Sequence, residues 1–330
     1  MRGSVVTGLP YLKIGLIIAI ALALTIAGIF GLMAWEKHYG RFGEREVGDT
    51  VVEYNGVKYQ LKENVETFLV LGLDKYDGEG SADSYNNDKQ ADFLMLFVID
   101  NDTKQYTAIH INRDTIAEID VLGVAGNKVS TVKSQIALAH TYGNGKEVSC
   151  HNTADSVSRL LRGMKVNHFA SLTMDSVAVM NDLVGGVEIV VLDDFFGIDD
   201  SLVKGETVLL KGEQALHYVR TRKDLEDSSN STRMQRQQQY LQAFYNAFAR
   251  SAEADDSFIV NVSLEMSEYL VSDRSITQLQ TLAEKFSSYE FKGIRDIEGE
   301  SVLGEKYVEF YPNEDAVDAL VIDLFYEPKK

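Results

Sequence analysis

Residues 91–115 read ADFLMLFVIDNDTKQYTAIHINRDT. The run DFLMLFVI (92–99) is apolar enough for a buried strand. A polar turn, Asp100-Asn101-Asp102-Thr103, follows it, and YTAIHIN (106–112) is a second strand, so the stretch reads as a hairpin. With the turn centred near residue 102, position 92 pairs with position 113. Asp92 and Arg113 should then sit side by side at the hairpin's open end. Upstream, TFLVLGL (67–73) is another buried strand, closed by Gly72 and followed by Asp74. Loops just beyond strand C-termini are where α/β sheets place their ligands, and Asp74, Arg113 and Asp114 all fall there. Two carboxylates, Asp74 and Asp92, with an arginine suit a hard divalent cation and an anionic ligand. The plainer alternatives are turn aspartates and a surface ion pair of little energetic weight.

Working outward, helices alternate with these strands. Residues 134–142, 153–162, 174–184, 213–219 and 232–250 read as helices, the last strongly amphipathic with Leu241, Phe244, Tyr245 and Phe248 on one side. Asn152 or Thr153 is the expected cap of the second. Gly185-Gly186 ends the third, and VEIVVL (187–192) is a strand. Further alternation follows over 275–286, 307–311 and 314–322. The expected fold is α/β (α+β), a mixed central sheet flanked by helices.

The segment IGLIIAIALALTIAGIFGLMA (14–34) carries no charge, and its 21 positions match the ~20 a bilayer-spanning helix needs. Lys13 precedes it, and Trp35 and Tyr39 follow in the place of an interfacial aromatic belt. A cleaved signal peptide would have a shorter apolar core and a small-residue cleavage site. The expected organisation is therefore a cytoplasmic N-terminus (1–13), an uncleaved signal-anchor (14–34), a juxtamembrane stalk (35–64, of which 36–64 reads as a stalk or a short β entry) and one extracellular domain (65–330) in a single-pass cell-membrane protein, facing membrane lipid.

The chain has 330 residues, 45% hydrophobic and 25% charged, with a net charge of −18. That is a globular composition, and the acid excess argues against nucleic-acid binding. The first 35 residues contribute only Arg2 and Lys13, so the excess lies wholly in the rest. The single cysteine, Cys150, excludes a disulfide framework, and its neighbour His151 is poorly placed to share a ligand with it.

A second cluster is basic. Arg220 and Arg222 leave a short helix at i and i+2. Arg233, Arg236 and Gln237 open the long helix, with Arg233 and Gln237 on one face. Basic residues oppose the dipole at a helix start unless an anion binds there, and guanidinium forks suit phosphate. Helix C-terminal compensation and a solvated face are the competing readings.

In order, GLD (72–74), ADFLMLFVID (91–100), INRDT (111–115), LAHTYGNG (138–145), LVGGVEIVV (183–191), KGEQALHYVRTR (211–222) and RMQRQQQYL (233–241) resemble the LytR-CpsA-Psr family, with core motifs over 67–245. The resemblance implies a phosphotransferase that moves a glycopolymer from a polyprenyl-diphosphate carrier to a peptidoglycan sugar hydroxyl. It implies Asp74 and Asp92 as Mg²⁺ carboxylates. Arg113, Arg220, Arg222, Arg233 and Gln237 would be the diphosphate clamp, with Arg236 beside them in the substrate-binding set. Either Asp114 or Asp92 would be the base. Asn112 replaces the family's proline before Arg-Asp, Gln90-Ala91 its basic and small residues, Gln135 a frequent lysine and Asn230 a frequent aspartate. A polyprenyl-phosphate-binding regulatory protein and a hydrolase of the same lipid diphosphate are the alternative functions. The two metal carboxylates favour chemistry over mere binding, while transfer and hydrolysis differ only in the acceptor.

Overall fold

The computed structural model describes residues 50–73, 90–221, 225, 229–255, 257–305 and 307–329. The apolar segment 14–34 lies outside them. Among the described residues no helix is long and apolar enough to cross a membrane.

The chain opens with a hairpin, β1 (Val51–Tyr54) and β2 (Val57–Leu61). Then come the sheet strands β3 (Val65–Leu73), β4 (Ala91–Asp100) and β5 (Gln105–Ile111). A two-stranded arm follows, β6 (Ile116–Leu122) and β7 (Lys128–Gln135), then a 3-10 turn (Ile136–Thr141) and α1 (Glu147–Leu160). Next are β8 (His168–Thr173), α2 (Asp175–Leu183), the hairpin β9 (Val187–Val190) and β10 (Thr207–Leu210), α3 (Glu213–Arg220) and α4 (Asn230–Ala254). The chain closes with α5 (Phe258–Met266), β11 (Leu270–Ser272), α6 (Ile276–Ser287), β12 (Glu290–Asp296), the hairpin β13 (Gly299–Leu303) and β14 (Val308–Pro312), α7 (Glu314–Phe325) and β15 (Tyr326–Pro328).

The central sheet has the order β11-β8-β3-β4-β5-β12. β3 runs parallel to β8 and antiparallel to β4, and β5 runs antiparallel to β4 and parallel to β12. The mixed sheet agrees with the expected class. It also gathers the C-terminal ends of β3, β5 and β8 and the N-terminal end of β4 at one rim.

Alternation along the strands divides the two faces. Leu69, Leu71, Leu73, Leu94, Leu96, Ile109 and Ile111 are fully buried in one core with Cys150, Ala154 and Val157 of α1 and Val317, Leu320 and Val321 of α7. The intervening residues Val70, Gly72, Phe93, Met95 and Phe97 turn the other way, toward α2 and α4. A strand buried on both faces must be apolar throughout, which is why 67–73 and 92–99 show no polar alternation.

Several expectations are corrected. Of the two readings of 36–64, residues 51–61 take the short β entry, and the domain starts ahead of residue 65, because β2 pairs with β15 near the chain's other end. Residues 134–135 finish β7 and only 136–141 are helical, as a 3-10 turn. Helix α1 starts at Glu147, upstream of the expected cap. Asn152 is instead buried inside it, donating to the carbonyls of Asp120 and Ala139 at 2.9 and 2.7 Å. Gly185 and Gly186 do end α2, with φ of 80° and 98°. A Cβ on Gly186 would lie 2.8 Å from the Leu210 carbonyl oxygen.

Leu69 is 0% exposed in the middle of the sheet. Leu69→Ala is expected to lower unfolding free energy by ~2–5 kcal/mol, read from urea denaturation. A loss under ~1 kcal/mol would contradict this placement of the core.

Candidate functional site

The register Leu94↔Ile111 continues outward to bring 92 opposite 113. Arg113 Nη1 binds the Asp92 carboxylate, and Nη2 binds Gln90 Oε1. The side-by-side placement expected from the turn centre is therefore present. Both side chains are about 15% exposed, at 15% and 14%, so the pair is partly desolvated rather than a free surface bridge. Asp114 Oδ1 lies 3.5 Å from Arg113 Nε.

Loop 112–115 is anchored on three sides. Thr115 N and its hydroxyl donate to the Asn112 carbonyl at 3.0 and 2.6 Å, closing a turn. Ile136 N and Ala137 N donate to the Thr115 and Arg113 carbonyls. On the far side, Phe310 N of β14 donates to the Asp114 carbonyl at 2.9 Å. Gln135 Nε2 joins the Asp114 carboxylate (3.1 Å) to the Val308 carbonyl (2.7 Å). Asp114 is 3% exposed, a buried carboxylate at the rim between the Gln135 amide and the Arg113 guanidinium.

Helix α4 delivers the second half of the site. Ser229 caps it, accepting from Thr232 N. Its first turn contains no acid, and Arg233 sits there, buried. Arg233 Nη2 donates to Asn230 Oδ1 at 2.6 Å and reaches the Asp92 carbonyl at 3.4 Å. Asn230 Nδ2 in turn donates to Asn112 Oδ1 at 2.6 Å. The helix start is thus tied directly to the hairpin end.

The described residues place part of the expected clamp. Arg113, Asp92 and Arg233 come together. Arg236, expected among the ligand-binding groups, is fully buried. Its guanidinium donates to the carbonyls of Tyr218 and Thr221, pairs with Asp193 at 3.0 Å and lies 5.3 Å from the centre of the Phe195 ring. It touches no open surface, so its work is to fix the exit of α3. Gln237 does the same for the Val219 carbonyl at 3.1 Å, but also lines the cavity described below. Arg220 is the last residue of α3 and is exposed. Asp74 and Arg222 lie outside the described residues. Cys150 is buried against His140 (3.5 Å) and Ser171 (3.4 Å), and burial pushes its thiol up to about 12, so it is inert at neutral pH.

Between the sheet and helices α2 and α4 lies a cavity of about 230 Å³. Met95, Phe97, Val177, Met180, Leu241 and Phe244 make its walls apolar, and Phe93, the neighbour of Asp92, and Gln237 are also among its lining residues. Gly72 is required here for close approach: a Cβ would lie 2.8 Å from Phe93 Cβ and 3.2 Å from Met174 Cε. Among the described residues no group of three or more His, Cys, Asp and Glu gathers as a metal cage. Asp92 offers a hard oxygen donor at the rim.

His110, Gln238, Asn112, Asn230, Gln90 and Gln135 were not singled out as site residues by sequence reasoning. A lone histidine in an apolar strand was the available signal for His110. It packs on Phe93 with ring centres 5.1 Å apart, and Gln238 bridges it (3.3 Å) to Asp296 (2.6 Å) at the end of β12. Burial, and then the Arg233 charge, lower its pKa to about 3 from 6.5. Below pH 6.5 the unfolded chain binds this proton and the folded chain does not, so stability falls as pH drops from 6.5 toward 3. His110→Gln is expected to flatten that slope in urea melts across this window. An unchanged slope would show that His110 is protonated in the fold.

Similarity to known proteins follows the same geometry. The LytR_cpsA_psr family matches residues 38–320. The cell wall biosynthesis protein LcpA of Corynebacterium glutamicum is 26% identical over 241 residues, 66% of this chain and 45% of that protein. The chain thus spans less than half the length of that relative. Among solved structures, TagV of B. subtilis aligns with a TM-score of 0.59 at 22% identity, covering 80% of this chain and 97% of that one. TagT bound to LIIa-WTA aligns with a TM-score of 0.59 at 20% identity, covering 79% and 90%. At these identities the structures establish a shared fold.

Proposed function

The chain belongs to the LytR_cpsA_psr family, and from that premise we propose that it is a cell-wall glycopolymer transferase. In its finer form it is a membrane-anchored phosphotransferase that takes a glycopolymer from a polyprenyl diphosphate to a sugar hydroxyl of peptidoglycan, outside the cell. The observation that carries this reading is the apolar cavity whose lining reaches Phe93 and Gln237, beside a rim holding Arg113, Arg233 and Asp92. An apolar slot next to guanidiniums suits a ligand with a hydrocarbon tail and an anionic head. The cell-wall role named for LcpA and the LIIa-WTA bound by TagT support the same substrate class.

The chemistry is displacement at phosphorus. The acceptor hydroxyl oxygen bonds to the glycan-bearing phosphorus, the bridging P–O bond breaks, and polyprenyl phosphate leaves with the electron pair. A carboxylate, Asp114 or Asp92, takes the hydroxyl proton. Arg113 and Arg233, with Arg220 and Arg222 from the exit of α3, hold the phosphate oxygens and neutralise charge, the larger part of phosphoryl-transfer catalysis. Arg236 and Gln237 keep that exit in place. Asp92 and Asp74 would hold Mg²⁺, an ion that takes few protein ligands and completes its shell with water and phosphate. When bound it adds neutralisation of the diphosphate.

The test is incubation of the purified protein with a polyprenyl-diphosphate glycan, Mg²⁺ and peptidoglycan fragments, followed by mass analysis. Phosphoglycan on peptidoglycan is the expected product. Free phosphoglycan would indicate hydrolysis, and unconsumed donor a binding protein. Arg220→Lys or Arg222→Lys keeps the charge but loses the fork. At ~1.5–3 kcal/mol per charge-assisted contact, either should slow transfer ~10–150-fold with little change in melting temperature. Unchanged turnover in both would remove these arginines from the site.

A further inference from the structure

The hairpin β13–β14 leaves Val302, Leu303, Tyr307, Val308 and Tyr311 all exposed, the two tyrosines at 67% and 46%. Single exposed apolar residues are normal, but a group of them along one short element marks a binding surface. Across the hairpin Val302 pairs with Glu309 and Glu300 with Tyr311, so these four side chains share one face. Phe310 points to the other face and is buried. The face with Glu300, Val302, Glu309 and Tyr311 is therefore turned away from the core. The Tyr311 hydroxyl donates to the Glu309 carboxylate at 2.6 Å, which sets an aromatic ring beside an acceptor before any ligand arrives. Tyr307 stands at the turn, where its carbonyl accepts from Gly304 N at 2.9 Å.

This hairpin is built onto the candidate site. Phe310 N donates to the Asp114 carbonyl, Phe310 lies in a parallel bridge with Thr115, and Gln135 ties the Asp114 carboxylate to the Val308 carbonyl. Asn230 of α4 holds the same 112–115 loop through Asn112. The loop thus lies between α4, which borders the cavity, and the hairpin, which contributes no described residue to the cavity's lining. In an in-line displacement the acceptor oxygen enters opposite the leaving group. If polyprenyl phosphate leaves on the cavity side, the acceptor needs a surface on another side of the loop, and the hairpin is one. Its side chains also suit a sugar. A pyranose ring offers an apolar C–H face to an aromatic ring, and its hydroxyl and acetamido N–H groups donate to carboxylates. A lipid surface suits it less, because residues 298–312 carry four glutamates and one lysine.

We propose that the outer face of β13–β14, with Tyr307, Glu309 and Tyr311, is the docking surface for the acceptor, and that it holds the sugar backbone of a glycan strand. The inference rests on the transfer reading above and adds where the acceptor binds and which part of it is recognised.

The test titrates the full chain in detergent with peptide-free glycan strands of peptidoglycan by calorimetry, with melting temperatures in parallel. Tyr307→Ala and Tyr311→Ala are each expected to weaken binding about 3- to 10-fold, the span of one aromatic contact. Tyr311→Phe, which keeps the ring, is expected to bind nearly as the wild type does. Melting temperatures should not move, because these side chains are exposed. Binding by both alanine variants equal to the wild type, or no binding by the wild type, would overturn the proposal. In the transfer assay the alanine variants are expected to raise the acceptor KM by the same factor, with kcat and the donor KM unchanged. Transfer with an unchanged acceptor KM would overturn the proposal and leave the transfer reading standing. Glycan binding weakened by the variants, with no transfer by the wild type, would support the docking surface and sink the transfer reading. Tyr307→Trp reads the lipid alternative in vesicles of brominated phosphatidylglycerol, against the wild type's single Trp35. Its emission is expected to stay unquenched, and quenching would assign the hairpin to the membrane and overturn the proposal.

Discussion

The constraint on which the site depends is the antiparallel register of β4 and β5. Once Leu94 faces Ile111, Asp92 and Arg113 must meet at the hairpin's open end. Arg113 then holds Asp92 and Gln90 together. A shift of one residue would flip every side chain to the other face, taking Leu94, Leu96 and Ile109 out of the core they share with α1 and α7 and breaking the ion pair at once. The same burial that stabilises the sheet therefore positions the charges at its rim. Helix α4 is added to this frame by polar contacts at its first turn and by Tyr240, Leu241 and Phe244 along the cavity.

The two faces of the sheet do different work. Toward α1 and α7 the packing is closed, with leucines and isoleucines at or near zero exposure. Toward α2 and α4 the packing leaves an apolar space beside the charged rim. That space is lined by Met95, Phe97, Met180 and Phe244, an apolar surface whose chemistry matches the hydrocarbon tail of the proposed donor. The buried polar residues are consistent with this division. Arg236 and Gln237 bind carbonyls at the exit of α3.

Much of this was legible in the sequence. Continuous apolar runs over 67–73 and 92–99 marked doubly buried strands, and the turn centre alone fixed Asp92 against Arg113. What escaped was non-local or lacked a pattern. KVSTVKSQ (128–135) is exposed over most of its length, so no burial alternation marks it as a strand. The pairing of β2 with β15 joins residues more than 250 positions apart. Arg236 looked like a second ligand for an anion because spacing cannot distinguish a guanidinium engaged by carbonyls and Asp193 from one at the charged rim. Only packing against Phe195 and the α3 carbonyls separates it from Arg233, three residues earlier. The Asn112–Asn230 contact was equally hidden, although both residues stood out singly.

The central claim is that one ligand joins the cavity to the rim. The most direct measurement is a crystal structure of the protein with a long-chain polyprenyl diphosphate and Mg²⁺. The account predicts the isoprenoid between the sheet and helices α2 and α4, with the diphosphate at Arg113 and Arg233. A head group seated away from both guanidiniums, or a tail outside this cavity, would contradict it.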